Sequence, residues 1–302
     1  MEISFIIPTI NSKDFIAKTV IELYDYFKYR ELKFEIIIVQ DSDEKDLWKK
    51  IKKLCKSNTN IRAIKLYKNF GQHYANHVGF ISAKGKFIIT LDDDGNIPPD
   101  QISVLIEKQK SSNAEYVIGN FINKKQTFIR KLGTLFINKF YKINYGIKND
   151  LHITNFRLIK NNLIKRVISK QLIFPFTSAQ LLNETKKVSW ASVKYRIGYR
   201  QNSSYRLINL SKLLFNVIIF YSNDLISKLT ILYILLSLLV ISTSTFLYLF
   251  SIFNKIAFIM TIIISILFVF QILLLRLIAK YYDKHNNKKN HHEIISSIEE
   301  LS

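Results

Sequence analysis

Five short runs rich in β-branched and aromatic residues constrain this chain more than any other feature: Ile3 to Ile7, Phe34 to Val39, Ile61 to Leu66, Phe87 to Leu91 and Tyr116 to Gly119. Each has the length and composition of a strand buried on both faces. Between the first four lie stretches of helical period, such as Phe15, Val20, Leu23 and Phe27, and later Leu47, Ile51 and Leu54. Strand and helix in alternation predict an α/β domain built on a mostly parallel sheet with both faces covered. Ligands of such sheets collect beyond the carboxyl ends of the strands. Just after the first, second and fourth runs stand Pro8-Thr9-Ile10-Asn11, Gln40-Asp41-Ser42-Asp43 and Asp92-Asp93-Asp94. Polar groups from distant sequence are therefore expected along one edge.

The last of these, Leu91-Asp92-Asp93-Asp94-Gly95-Asn96, precedes Pro98-Pro99 and reads as a buried strand emptying into a loop. Side chains two apart on a strand share a face, so Asp92 and Asp94 are expected to converge while Asp93 looks elsewhere. Two hard oxygen ligands with room for water and phosphate suit Mg²⁺ or Mn²⁺. Taken alone, an Asp triplet reads as a solvated turn. Acids after both the second and the fourth runs favour a site.

A formal net charge of +21 admits nucleic acid, an anionic membrane face or phosphate-bearing substrates. The basic residues are mostly scattered Lys, without an Arg-rich arm or zinc or helix-turn-helix spacing, which argues against nucleic acid. With Cys55 as its one cysteine the chain forms no internal disulfide. Met1-Glu2 lacks a basic leader and Pro8 stops the first apolar run, so no signal peptide is expected.

Leu229 to Phe253 is 25 residues without a formal charge, and Ile256 to Leu275 is another 20. Each is long enough to cross about 30 Å of hydrocarbon. Asn254 and Lys255 alone separate them, which predicts a tight transmembrane hairpin; a buried soluble hairpin is the other reading. Basic residues gather outside the pair, at Lys212, Lys228, Arg276, Lys280, Lys284, Lys288 and Lys289, so both termini are expected in the cytoplasm. Before them, Leu207, Leu210, Leu213, Leu214, Val217, Ile218 and Tyr221 recur at helical spacing, as in an interfacial helix or a core helix. Phe128 to Tyr141 is similarly amphipathic. His73 and His77 have zinc-ligand spacing without a third ligand, and Trp48 and Trp190 read as structural.

At these residues the chain resembles the family-2 glycosyltransferases of the GT-A fold. It is most similar to the membrane-attached polyprenyl-phosphate glycosyltransferases, such as dolichyl-phosphate mannose synthase and the bacterial undecaprenyl-phosphate sugar transferases. Four stretches carry the likeness: Ser4-Phe5-Ile6-Ile7-Pro8-Thr9-Ile10-Asn11, Glu35-Ile36-Ile37-Ile38-Val39-Gln40-Asp41-Ser42, Asn69-Phe70-Gly71-Gln72-His73 running on through Gly79 to Gly85, and Leu91 to Pro99. Asn155-Phe156-Arg157-Leu158 and Ser203-Ser204-Tyr205 extend it. The resemblance implies a Rossmann-like catalytic domain over residues 1–205, an interfacial helix over 206–228, two spans (229–253 and 256–275) within 229–278, and a cytoplasmic tail over 279–302. It implies an inner-membrane enzyme that takes a nucleoside diphosphate sugar donor and a polyprenyl phosphate acceptor, with Mg²⁺ or Mn²⁺. A homo-oligomer is left open.

By that resemblance Asp41 would hydrogen-bond the base, and Pro8 and Thr9 would line its pocket. Asp92 and Asp94 would bind ribose and metal as the family's Asp-x-Asp, with Asp93 among the nucleotide-binding residues and Asn96 as a third metal ligand. Catalysis would involve Asp94, Asp150, Asn155 and Arg157; Arg130, Arg157, Arg200 and Ser203 would receive the acceptor phosphate.

The departures are informative. Relatives usually carry Tyr and Glu where this chain has Ile10 and Ser12, and an Arg where it has Phe121. Their proposed catalytic Asp is Asn155 here. A sugar hydroxyl is a poor nucleophile near neutral pH and wants a carboxylate base. A lipid monophosphate, with a second pKa of about 6, is already ionised. An amide at position 155 therefore suits a phosphate acceptor, with Asp150 as the rival base. The runner-up readings are transfer to a sugar hydroxyl of a lipid-linked saccharide, and a non-catalytic membrane partner that retains the fold.

Overall fold

The computed structural model describes residues 1–12, 15–122, 138–147, 152–169, 176–196, 223–250, 254–295 and 299–301. The chain divides into two compact units, Met1–Arg206 with Asn290–Ser302, and Leu207–Lys289.

In the first unit β1 (Ile3–Thr9), α1 (Phe15–Phe27), β2 (Phe34–Gln40), α2 (Lys45–Ser57), β3 (Ile61–Lys65), α3 (Gln72–Ser82) and β4 (Phe87–Thr90) alternate as the sequence predicts. Then come α4 (Asp100–Ser112), β5 (Tyr116–Phe121), a helical stretch α5 (138–145), β6 (Arg157–Lys160), α6 (Asn161–Ile168), α7 (Thr177–Glu184) and β7 (Val188–Val193). The strands form one sheet in the order β7-β5-β6-β4-β1-β2-β3-β8, where β8 is Glu299–Leu301. β3, β2, β1 and β4 run parallel, as do β5 and β7. β6 enters antiparallel between β4 and β5, and β8 pairs antiparallel with β3.

β1 and β2 are buried at all seven positions, the mark of central strands with helices on both faces. Phe5, Phe27 and Phe34 pack as a ring cluster between β1, β2 and α1. Gly85 sits where no side chain fits: a Cβ there would lie 2.6 Å from Ser4 N and 2.8 Å from Ile3 C. Beneath β1 and β2 the buried Glu35 carboxylate takes Arg62 Nη2 at 2.7 Å and the Ser4 hydroxyl at 2.6 Å, so this buried charge is paired.

One local expectation is corrected. β4 ends at Thr90, and Asp92, Asp93 and Asp94 lie in a turn beyond it rather than on a strand. Gly95, at φ 68°, allows the left-handed backbone that closes this turn. Asp92 and Asp94 are thus not related by strand alternation.

In the second unit two helices span Asn223–Leu249 and Lys255–Ile295. Lys255–Leu274 is long and apolar enough to cross a membrane, with little of it buried; Tyr233–Leu249 is a shorter apolar helix. Ser237, Ser242, Thr243, Ser244, Thr245, Thr261 and Ser265 each donate their hydroxyl to a carbonyl three or four residues back. Hydroxyl side chains inside a helix satisfy themselves in this way. Within the expected tail, 279–302, the second helix runs on to Ile295 and the chain then supplies β8. Residues 206–222, which hold most of the expected interfacial helix, and 128–137 lie outside the described residues.

Candidate active site

The parallel strands deliver their loops to one edge of the sheet, and the antiparallel β6 starts at that same edge. Its register pairs Thr90 with Arg157 and Ile89 with Leu158, so the next residues outward face each other: Asn155 meets Asp92. Asn155 Nδ2 donates to Asp92 Oδ1 at 2.9 Å, and Gln72 Nε2 donates to the same oxygen at 2.8 Å from the first residue of α3.

Asn155 has both ends of its amide in use. Oδ1 accepts from Arg157 Nη2 at 3.0 Å and from Asn76 Nδ2 at 2.9 Å. A guanidinium can only donate, so it faces the amide oxygen and leaves the NH₂ for Asp92. Arg157 is 1% exposed. Its remaining hydrogen bonds go to the hydroxyls of Thr90 (3.0 Å), Ser178 (2.9 Å) and Tyr116 (3.4 Å). All of these partners are neutral, and Asn155 is the bridge from the buried cation to the Asp92 carboxylate. Arg157 lies behind the site, where it is not presented to a ligand. His73 lies close enough to feel that charge; burial, then Arg157, lowers its pKa to about 3, so it is neutral.

The other acids divide by environment. Asp93 turns inward, and burial raises its pKa while the hydroxyls of Ser12 and Thr9 pull the other way. Thr19 of α1 donates to its carbonyl at 3.2 Å. Asp94 accepts from Asn96 N at 3.1 Å and from Asn96 Nδ2 at 2.6 Å. Asn96 Nδ2 also reaches Tyr195 Oη at 2.8 Å, while Asn96 Oδ1 is buried with no hydrogen-bond partner. An unpartnered amide oxygen beside an acidic turn has the chemistry of a metal ligand. Among the described residues no group of three or more His, Cys, Asp or Glu is placed to hold a metal. Asp92, Asp94 and the free Asn96 Oδ1 offer the hard oxygen donors that a divalent ion takes.

Asp41 is 4% exposed at the end of β2. Its two oxygens accept from the backbone N–H groups of Phe70 and Gly71, each at 2.7 Å. Gly71, at φ 98°, lets both N–H groups turn toward it while opening α3. Burial lifts the Asp41 pKa to about 6, against the pull of those two N–H groups. Asp41 thus fixes the loop that leads to Gln72. Pro8 and Thr9 lie next to it, with Asp41 N donating to Thr9 O at 2.7 Å. Asp150, Arg130, Arg200 and Ser203 lie outside the described residues. Gln72, Asn76 and Tyr195 belong to the site and had no motif of their own; Gln72 and Asn76 stood inside a stretch that the resemblance marked, and Tyr195 in none.

Comparison with known proteins bears on the family and the fold. Residues 4–172 match the sequence model of the family described as Glycosyl transferase family 2. The undecaprenyl-phosphate 4-deoxy-4-formamido-L-arabinose transferase of Proteus mirabilis (strain HI4320) is 24% identical over 213 residues, 69% of this chain. The match spans 65% of that relative, less than two thirds of its length. The corresponding transferase of Klebsiella pneumoniae (strain 342) is 23% identical over 214 residues, again 69% of this chain and 65% of the relative. Glucosyl-3-phosphoglycerate synthase from Mycobacterium tuberculosis, in a complex with Mn²⁺, UDP and glucosyl-3-phosphoglycerate, shares the GT-A fold at a TM-score of 0.54 and 12% identity. That likeness covers 72% of this chain and 78% of the synthase. With more than half of its length matched and the fold in agreement, the chain belongs to glycosyl transferase family 2.

Proposed function

We propose that the chain transfers a sugar from a nucleoside diphosphate sugar to a polyprenyl phosphate of the undecaprenyl type at the inner face of the cytoplasmic membrane. The observation that carries this reading is the state of residue 155. Its amide is engaged by Asp92 on one side and by Arg157 and Asn76 on the other. It has no basic lone pair with which to take a proton, so it cannot activate a hydroxyl. An ionised phosphate needs no such help, only positioning and charge neutralisation. The buried Arg157, facing neutral partners alone, makes the site one charge more positive than an acid at position 155 would, which favours an anionic acceptor. The names of the Proteus and Klebsiella relatives support the same acceptor class.

On this reading Asp92 and Asp94 hold a Mg²⁺ or Mn²⁺ ion with Asn96, and the ion when bound neutralises charge on the departing nucleoside diphosphate. Gln72 and Asn155 hold Asp92 in place. Asp41 and the loop it fixes, with Pro8, Thr9 and Asp93 nearby, form the nucleotide side. Arg130, Arg200 and Ser203 are proposed as the acceptor-phosphate contacts, and Arg157 acts through Asn155.

The membrane arrangement proposed is a hairpin with both termini in the cytoplasm. Its support is that β8 belongs to the same sheet as β1 to β7, which a hairpin between them allows. An even number of crossings satisfies that condition, and Lys255–Leu274 alone does not. The shorter apolar helix Tyr233–Leu249 is proposed as the second crossing.

The decisive experiment presents the purified full chain with UDP-, GDP- and dTDP-sugars and undecaprenyl phosphate, with and without Mn²⁺, and separates the products by thin-layer chromatography. Metal-dependent label on the polyprenyl phosphate is expected. Label only on a lipid-linked saccharide would replace this reading with hydroxyl transfer, and absence of metal-dependent nucleotide binding would leave a non-catalytic protein.

A further inference from the structure

Asn96 ends the acidic turn, is 1% exposed, and leaves its Oδ1 without a partner while both amide hydrogens are in use. A buried carbonyl kept unpartnered is unfavourable. Such an atom is maintained only if its surroundings hold it there. One constraint is local: the Asp94 carboxylate only accepts, so it takes an amide N–H. The other comes from the far side of the sheet, where Tyr195 Oη takes the second N–H at 2.8 Å. Turning the amide over would set its oxygen against a carboxylate and take an N–H from the phenol.

Tyr195 stands just after β7, in a strap of three residues that grips the turn. Lys194 N donates to Gln101 Oε1 at 2.9 Å and Arg196 N to Asn96 O at 2.8 Å. The Arg196 guanidinium bonds Glu22 Oε2 of α1 at 2.7 Å. The tyrosine ring is held edge-on by Phe121, centroids 5.0 Å apart, and Phe121 stacks in turn on Phe156. Packing thus sets where the hydroxyl lies.

We propose that Tyr195 is a positioning residue for the metal half of the site: its hydroxyl fixes the Asn96 amide with Oδ1 turned to receive the divalent ion. The proposal rests on the metal-dependent reading given above. The hydroxyl does not touch substrate; it acts through Asn96, as outer-shell partners orient a ligand.

The test titrates Mn²⁺ into the full-length protein with UDP or GDP present and follows free Mn²⁺ by electron paramagnetic resonance. Tyr195→Phe keeps the ring against Phe121 and removes only the oxygen. It is expected to raise the Mn²⁺ dissociation constant about tenfold, the usual scale for an outer-shell partner. Asn96→Ala should do the same, and the double variant should fall within about twofold of Asn96→Ala, because the two side chains act as one unit. Gln101→Ala, which removes a neighbouring bond of the strap, should leave Mn²⁺ affinity within about twofold of wild type. The proposal is overturned if Tyr195→Phe binds Mn²⁺ like wild type, if the two losses add, or if Gln101→Ala weakens binding equally. Wild-type protein that binds no Mn²⁺ with either nucleotide overturns the metal-dependent reading itself, and the proposal with it.

Discussion

Asn155 is where a single atom decides what the site can do, since exchanging its NH₂ for oxygen would place two carboxylates at the 2.9 Å separation now bridged by a hydrogen bond. Asn155→Asp is expected to lower the initial rate of transfer to polyprenyl phosphate by about tenfold, because like charges at that distance hold a proton between them. A manyfold gain would identify the position as a base lost from the chain. Asp41 makes a different prediction, on pH. Its pKa is about 6 in the folded chain against 3.8 ordinarily, so the folded state keeps a proton that the unfolded chain releases first. Its contribution to stability is complete below about pH 4 and is lost as the pH rises through about 6, by on the order of 3 kcal/mol. Denaturant titrations at stepped pH should show that decline, and Asp41→Asn should flatten it. The acids at the strand ends were legible in the sequence because composition and position agreed there. Arg157 was legible as a charge and not as a buried one, for burial depends on Tyr116 and Ser178, distant residues that no spacing links to it. Tyr195 gave no sign at all: its meeting with Asn96 joins residues 99 apart.

Elements show the same division between local pattern and long-range pairing. The alternation of β1 to β4 with α1 to α3 follows from periodicity, which is local. The antiparallel entry of β6 does not, because register across a sheet is settled by partners rather than by neighbours. That entry carries Asn155 to Asp92, so the most consequential contact in the site was the least readable from any one stretch. The acidic turn was misplaced onto a strand for a related reason: Leu91 continues the apolar run, yet β4 ends at Thr90. Between α3 and β4, Gly85 is a tight point of assembly, its missing Cβ lying against backbone atoms of β1 that cannot swing aside. Gly85→Ala should destabilise the domain by about 2–4 kcal/mol through overpacking, read as a lower midpoint in urea with an unchanged slope. Gly79→Ala meets the Ile6 side chain instead of backbone, and the smaller loss expected there separates the two cases.

For the whole molecule, the helix Lys255–Leu274 is long and apolar enough to cross a membrane, and the return of the chain to its own sheet bears on the hairpin proposed above. Reporter domains fused to the two ends should read out in the same compartment; opposite compartments would mean an odd number of crossings and would exclude the hairpin. The two apolar runs were plain from composition, whereas β8 was hidden in a stretch of mixed polarity that resembles a solvated tail. β8 covers Ala63, Ile64 and Lys65 on the outer strand, setting Glu299 opposite Lys65. Uncovered, those backbone groups would be a template for strand exchange between copies of the chain. The last few residues thus act as a stopper, and trimming them should turn well-dispersed copies into sticky clusters with each catalytic centre still whole.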